Sequence, residues 1–67
     1  MKNGVRRKEV YDFIVKYRDE HGFAPALRDI SAGMSLSLAA VAFHVKNLSE
    51  DGLISYQKGI SRSIVVN

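Results

Sequence analysis

Between Leu27 and Gln57 the chain changes periodicity repeatedly, and each change falls on a residue suited to it. Leu27, Ile30 and Met34 recur at helical spacing, so they share one face. Ser35, Leu36 and Ser37 break that pattern. Ser37 is a good cap for a following helix, because its hydroxyl accepts from the amide of Ala39 or Ala40. Leu38, Val41, Val45 and Leu48 then resume the helical spacing. Gly52 stops it, since glycine adopts positive φ without a Cβ penalty. Leu53 to Gln57 reads as a strand. Two helices joined by so short a turn must cross at an angle, and Leu36 is placed to plug that angle.

The flanking residues complete the plan. Val10, Phe13, Ile14 and Tyr17 fall at i, i+3, i+4 and i+7, one face of a first helix running from about Arg6 to His21. Tyr11 and Val15 widen its apolar stripe, and Gly22 takes the position after its end. Phe23-Ala24-Pro25 is an extended connector, because Pro25 disfavours helix at Ala24. The second helix opens near Ala26 without a side-chain cap. Asp29 supplies only the acidic half of a capping box, so the missing cap costs about 1 kcal/mol. Lys58-Gly59-Ile60-Ser61 is a turn, and Arg62 to Val66 is a second strand. A lone hairpin is marginal, so Ile54, Ile64 and Val66 are expected to pack on the helices. Helices at about 6–21, 26–34 and 38–51 with a hairpin at about 53–66 make a mainly α fold with a small β-hairpin. That is a three-helix bundle plus wing, a winged helix-turn-helix.

Composition narrows the function. At 67 residues there is room for one domain, 1–67, and one small core. With no cysteine there is neither a disulfide nor a thiolate metal site, so packing must supply stability. No apolar run approaches the roughly 20 residues of a membrane span. No apolar segment follows the basic N-terminus as in a secretory signal. A cytoplasmic protein with no membrane partner is expected. His21 and His44 lack metal-ligand spacing and an acidic third partner. His44 reads as a packed side chain and His21 as a helix-end residue. Gly33, Gly52 and Gly59 are isolated rather than a phosphate loop. No Ser/His/Asp order stands out, so neither an enzyme, a cofactor nor a small-molecule substrate is expected.

A net charge of +3 and a pI near 9.5 lean toward a polyanionic partner. Lys2, Arg6, Arg7 and Lys8 cluster at the N-terminus, either against that partner or as a solvated helix start. On the third helix, Ala39, Ala42, Phe43 and Lys46 lie opposite the Val41–Val45–Leu48 stripe. In a helix-turn-helix this face enters the DNA major groove. Bidentate base reading needs Arg, Lys, Asn or Gln, and here only Lys46 and its neighbour Asn47 qualify.

Two readings follow. In one, Ala39, Ala42 and Phe43 touch thymine methyls. Arg28, Lys46, Lys58 and Arg62 then neutralise phosphates, and Ser37 caps the helix and can also touch a phosphate. Four such contacts give a log–log salt slope of roughly −4. A homodimer on a two-part site would supply the remaining affinity. In the other, the apolar face of helix 38–51 binds protein, with Phe43 as anchor. The alternative for Lys46, Lys58, Arg62 and Arg28 is solvated charge, and for Phe43 a half-buried place beside the second helix.

The run from Lys8 to Val66 resembles the N-terminal DNA-binding domain of LexA-type repressors. The matching pieces are Glu9 to Ile14, Gly22 to Pro25, Asp29-Ile30, His44 to Leu48, Gly52 to Ile54 and Gly59 to Ile64. The resemblance implies an SOS-type repressor module that docks its third helix in the major groove with the wing near the backbone. Such repressors also carry a C-terminal serine–lysine self-cleaving domain that dimerises, and these residues resemble only the DNA-reading part. The family usually has glycine where this chain has Ser35. It tends to have Asn and Glu where Ala39, Ala42 and Phe43 stand.

Overall fold

In the computed structural model, which describes residues 2–67 and side chains from Arg6 onward, three helices precede a short hairpin. They are α1 (Lys2–His21), α2 (Leu27–Met34) and α3 (Leu38–Glu50). The strands β1 (Ile54–Ser55) and β2 (Val65–Val66) pair antiparallel, with Ile54 opposite Val66 and Ser55 opposite Val65. This is the winged helix-turn-helix that the sequence implies.

On α1, Val10 and Ile14 are fully buried, and Phe13 and Tyr17 are half-buried beside them. The helix begins at Lys2, a turn earlier than the apolar pattern implies. Apolar spacing marks only the packed part of a helix, and a single glycine such as Gly4 weakens a helix by only about 1 kcal/mol. Three basic side chains near its start are paired: Arg6 with Glu9 at 3.2 Å, Lys8 with Asp12 at 3.1 Å, and Arg7 with Asp51 beyond the end of α3. The Lys2 side chain lies outside the described residues. Gly22 ends the helix at φ +80, its N–H donating to the Arg18 carbonyl at 2.8 Å.

As expected, α2 has half a capping box. Ala26 offers no side-chain acceptor, while Asp29 Oδ2 accepts from the Ala26 N–H at 2.9 Å. The helix stops because Ser35 turns left-handed, φ 55 and ψ 42. The Leu36 N–H then reaches back to the Ser31 carbonyl at 3.1 Å, and the Ser31 hydroxyl donates to the Leu36 carbonyl. A serine thus takes the conformation that glycine adopts more readily. Leu36 is half-buried against the core, in the angle between helices. Gly33 has a different task. A Cβ there would stand 2.4 Å from Phe13 Cε2, so α1 and α2 approach closely at this point.

Val10, Ile14, Ile30, Val41, Val45, Leu48, Ile54 and Ile64 form the core, with Val66 packed at its edge. Leu38 departs from its expected place in the stripe. It is 48% exposed, because at the first residue of α3 it faces the open space beside the wing. The C-terminus of α3 closes through the Gly52 N–H on the Ser49 carbonyl and the Leu53 N–H on the Leu48 carbonyl, both 3.0 Å. Helix ends closed this way satisfy carbonyls that would otherwise lack donors.

The strands are shorter than the sequence implies, two residues each. Arg62 adopts φ 56, which breaks the extended backbone a ladder needs. Ser63 takes over there: its hydroxyl accepts from the Gln57 N–H at 2.9 Å and donates to the Gln57 carbonyl at 3.1 Å. Gly59, at φ +83, sits in the turn closed by the Ile60 N–H on the Gln57 carbonyl. No helix among the described residues is long and apolar enough to cross a membrane.

Candidate nucleic-acid interface

Ser37 opens α3 as a cap, with Oγ accepting from the Ala40 N–H at 3.1 Å. That bond, with Val41, His44, Val45 and Leu48 buried behind it, sets the rotation of the helix. Ala39, Ala42, Phe43 and Lys46 are therefore all exposed on its outer side. Phe43 is 53% exposed and sits outside the core. Its ring stands at 67° to that of the buried His44, centroids 5.6 Å apart. The alternative of a half-buried Phe43 beside the second helix does not hold.

A groove of about 600 Å³ separates the first two turns of α3 from the wing loop. It brings together five of the eight candidate residues: Arg28, Ala39, Ala42, Lys58 and Arg62. Ser37, Phe43 and Lys46 lie outside it. Arg28, Lys46 and Lys58 are exposed, and among the described residues none of them forms an ion pair. These are cations with charge to offer a polyanion.

Arg62 is placed otherwise. Its Nη1 lies 3.0 Å from Asp29 Oδ2, donates to the Ala24 carbonyl at 3.0 Å and reaches the Tyr17 hydroxyl at 3.4 Å. Its guanidinium also stands 4.9 Å from the centre of the Phe23 ring. Asp29 is held below the usual carboxylate range, chiefly by the Ala26 N–H and further by the positive charge of Arg62. His44 is shifted down as well, by burial and by the nearby charges of Arg6 and Arg7. Both effects favour the neutral form of the imidazole that packs behind the exposed face of α3.

Two groove residues escaped the sequence reading. Ile60, 58% exposed, and Leu38 add apolar surface on opposite sides of the groove. An isoleucine inside a four-residue turn at Lys58-Gly59-Ile60-Ser61 is a signal that was there to be used. The partners of Arg62 carried no such signal, since Tyr17 is 45 residues away in sequence.

A bundle that exposes the outer face of its second helix-turn-helix element beside a cationic wing defines a winged-helix DNA-binding domain. Comparison with known proteins makes this specific. The LexA DNA binding domain family matches residues 3–63, and the chain belongs to that family. It is similar to the LexA repressor of Koribacter versatilis (strain Ellin345), 42% identical over 62 residues, covering 91% of this chain and 30% of that protein. LexA repressor 1 of Nocardia farcinica is 36% identical over 63 residues, covering 92% and 29%. The LexA repressor of Herpetosiphon aurantiacus is 37% identical over 60 residues, covering 88% and 28%. The chain thus spans less than a third of the length of these relatives. Its function is that of its family, binding double-stranded DNA.

Proposed function

We propose that this chain is the operator-reading module of a LexA-type repressor, with residues 1–67 acting as one docking unit. In this reading α3 lies in the major groove and the wing follows the adjacent backbone. Arg28, Lys46 and Lys58 meet phosphates. Ala39, Ala42 and Phe43 meet base edges, and Ser37 fixes the helix that carries them and touches a phosphate. Two copies occupy a two-part site, since one small face makes few base contacts. The carrying observation is that Ala39 and Ala42 on the outer face of α3 border one groove with Arg28 and Lys58, two cations that form no ion pair among the described residues.

The chemistry of the face points to thymine. Alanine and phenylalanine cannot hydrogen-bond a base edge, but they gain from covering a thymine methyl. Burying one methyl group is worth about 0.8 kcal/mol, or roughly fourfold in affinity. The test is selection of a tight duplex from a randomised pool, followed by replacement of its thymines with deoxyuridine. A loss of about fourfold per contacted methyl is expected. Equal affinity for the deoxyuridine duplex would overturn methyl reading. Three cationic phosphate contacts per copy further imply a log–log salt slope of about −3 for a single domain, shallower than four such cations would give.

A further inference from the structure

Arg62 belongs to the wing, yet every partner it has among the described residues lies at the junction of α1 and α2. Asp29 Oδ2 is the centre of that junction. It accepts from the Ala26 N–H at 2.9 Å, from the Tyr17 hydroxyl at 3.2 Å, and pairs with Arg62 at 3.0 Å. One carboxylate oxygen therefore joins the end of α1, the start of α2 and the wing. Ala24 and Phe23, in the connector between the two helices, hold the same guanidinium through a carbonyl and a ring face. Cationic and planar, a guanidinium can bond and stack at once, which an ammonium does less well. Arg62 also adopts φ 56, a backbone state that non-glycine residues occupy only when their surroundings hold them there.

We propose that Arg62 is a positioning residue, which locks the wing loop onto the α1–α2 junction so that the loop meets DNA already ordered, rather than a phosphate ligand. The inference rests on the DNA-docking reading above and deepens it. Turning Arg62 toward a phosphate would strip Asp29 of its cation and leave a carboxylate beside a polyanion. It would also leave the wing held to the bundle mainly by Ile64, Tyr56 and the short ladder. A loop ordered before binding loses less entropy when DNA arrives.

Asp29→Asn separates the two roles by sign. It removes a negative charge near the DNA face and releases Arg62. If Arg62 were a phosphate ligand, affinity would rise. With the lock, affinity falls by about three- to tenfold, because the wing must be ordered at the moment of binding. Tyr17→Phe, which alters no charge, should act in the same direction and more weakly. Amide exchange in the DNA-free variants gives an independent reading. Amides 58–63 should exchange faster while those of Val41 and Val45 keep their rates, which also shows that the variants are folded. Tighter binding by Asp29→Asn, or unchanged wing exchange in both variants, would overturn the proposal. Failure of the unaltered protein to bind any duplex would instead overturn the docking reading, and the exchange result would still decide the lock.

Discussion

Replacing Ser35 with glycine should make this protein more stable. Ser35 ends α2 at φ 55 and ψ 42, and its amide and that of Leu36 both return to the Ser31 carbonyl. An L-residue in this conformation carries a penalty of about 1–2 kcal/mol from its Cβ. Glycine removes the penalty but loses about 0.4–1 kcal/mol more entropy on folding. The net gain is about 0.5–1 kcal/mol. For a domain of this size that raises Tm by about 2–8 °C. Thermal and urea unfolding followed by circular dichroism would measure it, with DNA affinity unchanged because the exposed face of α3 keeps its position. Ser35→Ala keeps the Cβ and should show no such gain. A glycine variant no more stable than the parent would refute the left-handed stop, and with it the account of how the turn is made.

Other substitutions probe the remaining parts. Ser37→Ala removes the acceptor for the Ala40 N–H and should destabilise by about 1 kcal/mol in urea unfolding. Phe43→Ala should weaken DNA binding with little change in Tm, because the ring is largely exposed; intact affinity together with loss of self-association would assign this face to protein contact. The pH dependence follows from His44, whose folded pKa is shifted below the ordinary 6.5. The unfolded chain then takes up the proton more readily, so stability is complete above about pH 6.5 and declines as pH falls toward the folded value. Asp29 adds a second loss at lower pH: its depressed pKa stabilises the fold above about 3.8, and that contribution disappears as pH falls through the folded value. Urea midpoints between pH 7 and pH 3 would show both windows.

Local chemistry made much of this fold legible. The cap at Ser37, the stops at Gly22 and Gly52, the packed face of α2 and the Val41–Val45–Leu48 part of the α3 stripe each depend on residues a few positions apart, and all are found in place. Leu38 misled because helical spacing places a residue on a face but does not say whether anything covers that part of the face. The hairpin came out shorter because one side chain, Ser63, bonds both the N–H and the carbonyl of Gln57 where a backbone pair was expected. Gly33 stands as an isolated glycine in the sequence, since its reason is the Phe13 ring on another helix. At the site, the exposed α3 face followed from spacing alone. Arg62 did not, because a cation's partner is a tertiary fact: composition counts its charge, and only packing shows that Asp29 already neutralises it.

Docking of α3 and the wing on DNA is tested at residue level by an amide-resolved NMR titration with mixed-sequence duplex DNA at low salt, repeated at physiological salt. Shifts are expected at residues 37–47 and 58–62 and should shrink as salt rises, with the N-terminal half of α1 unmoved because Arg6, Arg7 and Lys8 are already paired. An absence of shifts at low salt, or shifts confined to that N-terminal cluster, would contradict it.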